Sequence, residues 1–399
     1  MKVCDLTQFY SPLSGGVKRY VHEKIRYIQA STGHEHVLVI PGPKSEVVES
    51  GPSRIYSIRS PLLSRTSRYR VLLNLRAIDE ILERERPDLI ECGDPYQVAW
   101  KSITSGSALR LPVVGFYHSH FPEAYLRTTA RRFGRTATEC MMDFARRYVR
   151  QIYNQFEATF VPSARLGALL ASWGVGNIHA VDLGVDVEVF RPEPDDAAAS
   201  RESLGIPAAR CLLLYVGRLA QEKNTRTLFA AFEELVRREP DRYHLLIVGD
   251  GLQRAELRDL QGRIGAVTWR QYCLESEKLA RYYRAAELLV HPGVQETFGL
   301  TALESQACGT PVVGIRGSYM DRIIFGSQEH WATENSAGAL ADAIAAAAAG
   351  RLSETGCAAA HKVREHYAWP IVFKELFRIY EEVRVDFRAG RRRENRLPN

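Results

Sequence analysis

The sequence predicts an α/β protein in which two doubly wound domains each contain a parallel sheet. Short apolar runs alternate with helical patterns along all 399 residues, which is typical of parallel strands covered by helices on both faces. A chain of this length exceeds one ordinary core, and two domains of about 180–200 residues account for it. Residues 182–200, rich in Pro, Asp and small side chains, mark the break between the halves.

Each half contributes its own series of strand-like runs. In the first half these runs are 2–9, 36–40, 54–58, 88–91, 112–117 and 158–161. In the second half they are 211–216, 244–248, 267–269, 288–291 and 311–315. Two later segments are predicted helices, the alanine-rich 337–349 and the amphipathic 369–387. The amphipathic segment has one apolar face, formed by Phe373, Leu376, Phe377, Tyr380 and Val383.

Composition excludes several classes of protein. The hydrophobic fraction of 45% is normal for a soluble globular chain, and no apolar run is long enough to span a bilayer. The N-terminal residues run directly into a predicted strand without a secretory signal, so we expect a cytoplasmic protein. The seven cysteines occur singly with no Cys-x-x-Cys, which favours reduced thiols and argues against a structural zinc.

The positive charge is concentrated in the first half. The net charge is +6, and residues 1–190 hold 24 Lys and Arg against 19 Asp and Glu, a balance of +5. No aromatic-interleaved basic module is present, so an anionic ligand or membrane surface fits better than nucleic acid. The segment from Arg127 to Arg150 interleaves arginines with Met and aromatic residues. It fits either a peripheral contact with an anionic membrane or a solvated helix face.

The most informative segment lies between two glutamates, Glu296 and Glu304. It follows a predicted buried strand and opens a helical pattern that ends before Cys308. The start of a helix leaves backbone N–H groups unpaired and carries partial positive charge, so it suits an anion. One carboxylate precedes the helix and the other lies about two turns inside it. This layout predicts a ligand with a phosphate in the middle and hydroxyl groups at both ends.

Two cations follow the first strand of the second half. Gly217 permits a tight turn, and we expect Arg218 and Lys223 to lie after it at the carboxyl end of the strand. Arg can grip a phosphate through two hydrogen bonds, and Lys supplies a point charge. The alternative is a pair of solvated surface cations. With the helix start at 298–300, the two cations would hold a diphosphate without a metal. Gly249 and Asp250, which end the next strand, form either a simple turn or part of the same site.

The first half offers weaker candidates at the ends of its strands. Gly15 and Gly16 follow the first strand, where two glycines let the backbone approach a phosphate or sugar closely, and Lys18 comes next. Asp94 ends another strand, where it is either a ligand group or the N-cap of the next helix.

A histidine pair, His118 and His120, ends the predicted strand 112–117. One histidine could bond a substrate hydroxyl, and the pair could instead suggest a metal ion. No third ligand occurs at supporting spacing, so we expect no metal at this position.

These motifs, taken in order, resemble the retaining glycosyltransferases of family GT4, which have the GT-B fold. The resemblance covers nearly the whole chain and is strongest over 211–316. There the order and spacing of 217–224, 248–251, 296–304 and 309–313 follow the family. In the first half, Gly15, Gly16, His118 and the hinge at 184–186 agree with it. The pattern departs at 317–322, where the family often has Gly-Gly-x-x-Glu and this chain has Gly-Ser-Tyr-Met-Asp-Arg.

The resemblance implies a role for each candidate residue. Arg218 and Lys223 would neutralise a donor diphosphate, Glu296 would bind hydroxyls of the transferred sugar, Glu304 would bind the ribose hydroxyls, and His118 would lie beside the reacting sugar. Other residues implied in donor binding are Gly15, Gly16, Gly217, Gly249, Asp250, Thr297, Phe298, Gly299 and Leu300. Those implied in acceptor binding are Lys18, Asp94 and His120.

The resemblance also implies the organisation and the reaction. An acceptor domain at 1–187 and a donor domain at 188–369 would face each other across a cleft. Residues 370–399, a helix and basic tail, would cross back onto the first domain. The donor would be GDP-mannose or a UDP-hexose, and the acceptor a lipid or glycan hydroxyl. Without an evident carboxylate nucleophile, retention suggests a front-face reaction that needs no metal or other cofactor, because the two cations supply the charge.

Three other functions share the fold or the ligand. A nucleotide-sugar epimerase would convert the sugar without an acceptor, and a phosphorylase would carry pyridoxal phosphate on a lysine. A non-catalytic nucleotide-sugar sensor belongs to a different class. The presence of Arg218, Lys223, Glu296, Glu304 and His118 argues against the decayed site that a sensor would have.

Overall fold

The computed structural model describes residues 1–10, 15–63, 68–118, 120, 122, 134–193, 196–318, 320, 322–326 and 328–390. The chain divides into two compact units. One comprises Met1–Leu183 with Trp369–Asn399, and the other comprises Gly184–Ala368. The sequence places the corresponding divisions at 187 and 369. Residues of the basic tail after 390 lie outside the described part of the chain.

The first unit is built on an eight-stranded sheet with the order β3-β4-β2-β1-β5-β6-β7-β8. All its neighbouring strands run parallel except β3 and β4, which are antiparallel. The strands are β1 (Lys2–Leu6), β2 (Glu35–Gly42), β3 (Glu46–Ser50), β4 (Ser53–Arg59), β5 (Leu89–Cys92), β6 (Val113–Phe116), β7 (Ala158–Val161) and β8 (Ile178–Ala180).

Helices of the first unit cover this sheet, and the final helix of the chain is among them. They are α1 (Gly16–Ser31), α2 (Arg76–Glu85), α3 (Gln97–Leu109), α4 (Arg135–Tyr153), α5 (Ala164–Ser172) and α13 (Trp369–Arg388). The apolar face predicted for the last helix is buried. Its Phe373 and Phe377 rings lie 5.5 and 5.7 Å from the ring of Tyr27 on α1, so α13 packs on α1.

The second unit has a five-stranded parallel sheet with the order β11-β10-β9-β12-β13. Its strands are β9 (Cys211–Val216), β10 (Tyr243–Val248), β11 (Val267–Arg270), β12 (Leu288–His291) and β13 (Val312–Gly314). Its helices are α6 (Asp196–Leu204), α7 (Thr225–Arg238), α8 (Arg254–Arg263), α9 (Ser276–Ala285), α10 (Leu300–Ala307), α11 (Ala337–Ala348) and α12 (Leu352–Tyr367), with short 3-10 turns at Gln221–Lys223 and Gln328–His330.

The strand order explains where a site can form in the second unit. β9 lies at the centre of the sheet between β10 and β12, and all three run parallel. The loops after these strands therefore leave the sheet at the same edge, the usual position of ligand sites in doubly wound folds. The two ends of this unit also meet, because the amide of Val185 donates a hydrogen bond of 2.8 Å to the carbonyl of Tyr367.

Each of the eleven predicted strands is present. Two further strands, β3 and β8, were missed. β3 lies at the sheet edge and is largely exposed and polar, so it lacks the apolar run used to recognise strands, and β8 has three residues. The antiparallel pairing of β3 departs from the wholly parallel sheets that the sequence predicted. None of the described helices is long and apolar enough to cross a membrane.

Candidate functional site

The loop after β9 carries the two predicted phosphate-binding cations on a fixed backbone. The hydroxyl of Tyr215 donates a 2.8 Å hydrogen bond to the carbonyl of Arg218, whose half-exposed guanidinium lies 3.3 Å from Glu222. After the 3-10 turn, Asn224 adopts a left-handed conformation with φ of 57°. Its side-chain amide donates a 2.9 Å hydrogen bond to the carbonyl of Pro292. The loop after β9 is therefore tied to the loop after β12.

Lys223 and Glu296 form an ion pair between these two loops. Burial alone would raise the pKa of the Glu296 carboxyl, but the charge of Lys223, joined in acid by that of protonated His291, outweighs burial and lowers this pKa to about 2. Glu296 is therefore ionised at neutral pH. Two residues that the sequence assigned separately, one to a diphosphate and one to a sugar, lie in direct contact.

Sequence reasoning missed His291, the last residue of β12. Its side chain is 9% exposed, and its Nε2 lies 3.9 Å from Oε2 of Glu296. Burial is the main cause that lowers the pKa of His291, to about 4, so the imidazole is neutral at pH 7. One sequence feature could have identified His291: it is a titratable residue at the end of an apolar strand, five positions before the first glutamate of the 296–304 motif.

Helix α10 begins where the sequence predicts, directly after the loop that holds Glu296. Gly299 precedes the first helical residue, Leu300, and has φ of 89°. A Cβ atom at Gly299 would lie 2.2 Å from the sulfur of Met320, so a larger residue would displace that side chain as well as strain the left-handed backbone. Phe298 is buried, and in the described part of the chain no side chain caps the start of this helix. Thr297 and the amides at 298–300 directly follow Glu296 in the sequence.

Glu304, the second glutamate, lies inside α10 and is 2% exposed. Its Oε2 accepts a 2.9 Å hydrogen bond from the hydroxyl of Tyr283 on α9. The structure thus places this carboxylate against a neighbouring helix of the same unit. Its assignment to ribose hydroxyls stays a prediction.

The turn after β10 packs tightly against the turn after β9. A Cβ atom at Gly249 would lie 1.8 Å from the carbonyl oxygen of Gly217, so only glycine allows the two backbones to approach this closely. Asp250 lies 3.1 Å from Arg254 and accepts a 2.7 Å hydrogen bond from the amide of Gly251. These contacts give Asp250 a role in holding the turn, and its contact with a donor stays a prediction.

In the first unit, the glycine pair lies at the start of α1. Gly15 is the N-cap residue with φ of 134°, Gly16 is the first helical residue, and both are exposed. Burial lowers the pKa of Lys18 in the first turn of the same helix. Ser14, also part of this motif, lies outside the described residues.

The two histidines after β6 have different surroundings. The His118 ring stacks on Phe116, with ring centres 4.1 Å apart, and burial is the largest cause that lowers its pKa to about 3. The His120 ring stacks on Trp173 at 5.5 Å, and its Nδ1 lies 3.0 Å from the hydroxyl of Tyr117. His118 is therefore a neutral imidazole suited to hydrogen bonding with a hydroxyl group.

Asp94 is almost fully buried at the end of β5. Its carboxylate accepts hydrogen bonds from the amides of Gln8, at 3.0 Å, and Tyr96, at 3.2 Å. Tyr96 is the N-cap of helix α3, which begins at Gln97, so the N-cap alternative predicted for Asp94 is wrong, and its contact with Tyr96 lies in the turn before the helix. Burial raises the pKa of Asp94 to about 6, although both hydrogen bonds oppose this shift.

The basic segment of the first unit is only partly described. Arg127, Arg131 and Arg132 lie outside the described residues. In α4, Phe144 is 73% exposed, and Arg147 lies 2.9 Å from Asp143. Tyr319 and Asp321, in the stretch where the GT4 pattern departs, are also outside the described residues.

Two family models match the chain. Residues 14–189 match the model described as Glycosyltransferase Family 4, and residues 210–349 match Glycosyl transferases group 1. A D-inositol 3-phosphate glycosyltransferase 2 of Catenulispora acidiphila is 35% identical over 233 residues, which are 55% of this chain and 54% of that protein. A GDP-mannose-dependent alpha-(1-6)-phosphatidylinositol dimannoside mannosyltransferase of Mycobacterium tuberculosis is 29% identical over 331 residues, covering 81% of this chain and 82% of that protein.

Solved structures agree on the fold. Sucrose-phosphate synthase from Thermosynechococcus elongatus superposes with a TM-score of 0.75 at 23% identity, covering 96% of this chain and 98% of that one. WaaG, a glycosyltransferase involved in lipopolysaccharide biosynthesis, gives a TM-score of 0.65 at 17% identity, covering 92% and 97%. With the two family models spanning most of its length, the chain belongs to the family 4 glycosyltransferases of GT-B fold, and it is a glycosyltransferase enzyme.

Proposed function

We propose that this enzyme transfers a hexose from a nucleotide-diphosphate sugar to a hydroxyl of a lipid or glycan, with retention and without a metal. GDP-mannose is the favoured donor and a UDP-hexose is next. The names of relatives support this order, because the mannosyltransferase of Mycobacterium tuberculosis and one of Corynebacterium glutamicum, 25% identical over 328 residues, are both GDP-mannose-dependent.

The observation that carries the proposal is the Lys223–Glu296 ion pair beside the start of α10. A lysine ammonium has three N–H donors, so Lys223 can hold Glu296 and a diphosphate oxygen at the same time. Arg218 on the same loop adds a second positive charge. The ionised Glu296 accepts hydrogen bonds from sugar hydroxyls. One compact cluster thus supplies groups for both parts of a nucleotide-sugar donor.

The proposed reaction follows from where charge develops. As the bond between the anomeric carbon and the diphosphate breaks, the sugar becomes positive and the leaving oxygen negative. Arg218, Lys223 and the amides at 298–300 stabilise the leaving group. The acceptor hydroxyl attacks from the face that the diphosphate leaves, and its proton passes to the departing phosphate oxygen. The anomeric configuration is therefore kept, and the neutral His118 bonds a hydroxyl of the reacting sugar.

The proposed acceptor is a lipid or glycan hydroxyl, with Lys18, Asp94 and His120 as its candidate contacts. A lipid acceptor would bring the protein to an anionic membrane at the inner face of the cell membrane. The exposed Phe144 on the basic helix α4 would make that contact. Sedimentation with vesicles of phosphatidylglycerol tests this part, and equal binding of wild type and Phe144→Ser would contradict it.

Two measurements test the function itself. In a thermal-shift panel of nucleotides and nucleotide sugars, we expect GDP-mannose to raise the melting temperature most, because a ligand bound to the native state stabilises it by mass action. Nuclear magnetic resonance of the product from a mixed acceptor pool then reports the anomeric configuration. Inversion would contradict the retaining mechanism. Sugar conversion without any acceptor would identify an epimerase, and binding without turnover would identify a sensor.

A further inference from the structure

We propose that His291 is a positioning residue of the donor site, which holds the Glu296 carboxylate and bonds a hydroxyl of the transferred sugar. This inference rests on the proposed function and deepens it. His291 ends β12, where its backbone is paired in register with Gly314 of β13. Its ring therefore projects from a fixed strand toward the loop that carries Glu296.

The contacts at Glu296 divide its two oxygens between protein and ligand. Lys223 and His291 both approach the same oxygen, Oε2. Oε1 is then available to accept a hydrogen bond from a sugar hydroxyl. The 3.9 Å separation of His291 Nε2 from Oε2 exceeds hydrogen-bond length, but contacts of this kind often tighten when substrate binds.

His291 differs from two other buried histidines in a way that points to a ligand. His36 and His244 each place Nε2 at 2.8 Å from a fixed side-chain oxygen, of Asp5 and Thr268 respectively. Within the described part of the chain, Nε2 of His291 has no such partner, whereas Nδ1 is enclosed and unpartnered in all three rings. Buried polar atoms in native proteins are normally hydrogen-bonded, so an unpartnered ring suits a group supplied by a substrate.

The loop after β12 lies against one edge of this ring through the backbone of Gly293. A Cβ atom at Gly293 would lie 3.1 Å from Cε1 and 3.6 Å from Nδ1 of His291. The same position lies 3.9 Å from the carbonyl of Lys223. Glycine at 293 therefore lets the backbone lie close over the enclosed Nδ1 edge, next to the loop that carries the phosphate-binding cation. With Nδ1 enclosed, Nε2 is the ring nitrogen that a sugar hydroxyl bonded to Glu296 can also reach.

The test compares nucleotide binding with nucleotide-sugar binding in the full-length protein. Titration calorimetry would measure GDP and GDP-mannose, with UDP and UDP-glucose in parallel, on wild type, His291→Leu and His291→Gln. We expect His291→Leu to weaken GDP-mannose about tenfold and GDP less than twofold, on the scale of one lost hydrogen bond. Gln keeps a donor near the position of Nε2, so His291→Gln should recover most of the loss.

His244→Leu is the matched control, because it removes a buried histidine of the same unit that already has a protein partner. It should lower the melting temperature and leave both dissociation constants unchanged. Equal weakening of GDP and GDP-mannose by His291→Leu, or no weakening of either, would overturn the inference. If Leu prevents folding, the Gln and Asn variants decide it by the same ratio of constants. A wild type that binds none of the four compounds would overturn the proposed function and this inference together.

Discussion

Two lysine–carboxylate clusters, one in each unit, use the same chemistry in opposite ways. In the first unit, Lys24 is fully buried and its ammonium bonds Asp5 at 2.9 Å, Glu91 at 3.0 Å and the Tyr380 hydroxyl at 3.0 Å. Each of the three N–H donors of this ammonium thus has a hydrogen-bond partner. In the second unit, the side chain of Lys223 is 25% exposed and pairs with Glu296.

The closed cluster of Lys24 with Asp5, Glu91 and Tyr380 joins β1, β5, α1 and α13. Burial would raise the pKa of Asp5, but Lys24 and His36 outweigh it and lower the pKa to about 2. For Glu91 the opposite holds, because burial prevails and raises the pKa of its carboxyl. Because its partners are all supplied by the chain, this cluster connects the last helix to the sheet. The pair of Lys223 and Glu296, here called the open cluster, keeps donors and acceptors unused by the described residues, and these suit a ligand.

The largest expected effect is on stability, at the closed cluster. Lys24→Met leaves two buried carboxylates without their cation, which typically costs about 3–5 kcal/mol of unfolding free energy. Urea unfolding followed by circular dichroism measures this loss. A loss of unfolding free energy below about 1 kcal/mol would show that water or another group replaces the lysine. The closed cluster would then not be the structural counterpart of the open one.

Next in size is the effect on turnover at the open cluster. Lys223→Ala removes a charge that stabilises the leaving diphosphate, so kcat should fall by at least about a hundredfold. The unfolding free energy should change by only about 1 kcal/mol, because the ion pair is partly exposed. Steady-state kinetics with the donor selected by the thermal-shift panel measures kcat. Wild-type turnover by this variant would remove Lys223 from the proposed site.

The next prediction concerns Glu304, a buried carboxylate that already has a tyrosine partner and is also proposed to bind the ribose hydroxyls. Its contact with Tyr283 resembles the Tyr20–Glu91 contact of the closed cluster, at 3.0 Å. If Glu304 binds ribose, Glu304→Gln should weaken GDP and GDP-mannose alike by about tenfold. Calorimetry on both ligands gives the ratio. Unchanged constants with a lower melting temperature would make Glu304 a scaffold residue.

The smallest expected effect is the acid dependence of Glu296. Its pKa of about 2 in the folded protein lies below the ordinary value of 4.5. The resulting stability is therefore present above pH 4.5 and is lost as pH falls toward 2. For a partly exposed pair we expect about 1 kcal/mol. Melting temperatures from pH 6 to pH 3 should fall less in Glu296→Gln than in wild type, and parallel curves would contradict the assignment.

The sequence predicts eleven of the thirteen described strands and most of the open cluster, because these depend on local patterns. The apolar runs predicted β9 and β12, and the candidate site residues come shortly after these runs in the sequence. His291 was missed because it ends an apolar run and reads as part of the strand. Its role depends on Lys223, which is distant in sequence and meets Glu296 only in the fold.

The closed cluster could not be predicted from local sequence. Lys24 lies on a helix whose pattern suits a solvated lysine, and its burial depends on Tyr380, 356 positions away. Asp5 and Glu91 are single acidic residues within apolar strands, and periodicity assigns them no partner. Charge pairing across such distances requires the packing of α13 on α1, which propensities and spacing do not specify.

We expect the open cluster to bind the donor and the closed cluster to have no part in binding. Calorimetric titration of GDP-mannose into wild type, Lys223→Met and Tyr380→Phe tests this claim most directly. Tyr380→Phe removes a hydroxyl from the closed cluster and keeps its charges. We expect Lys223→Met to weaken binding at least about tenfold and Tyr380→Phe to bind as wild type does. Wild-type affinity in Lys223→Met, or equal weakening in both variants, would show that the open cluster is not the donor site.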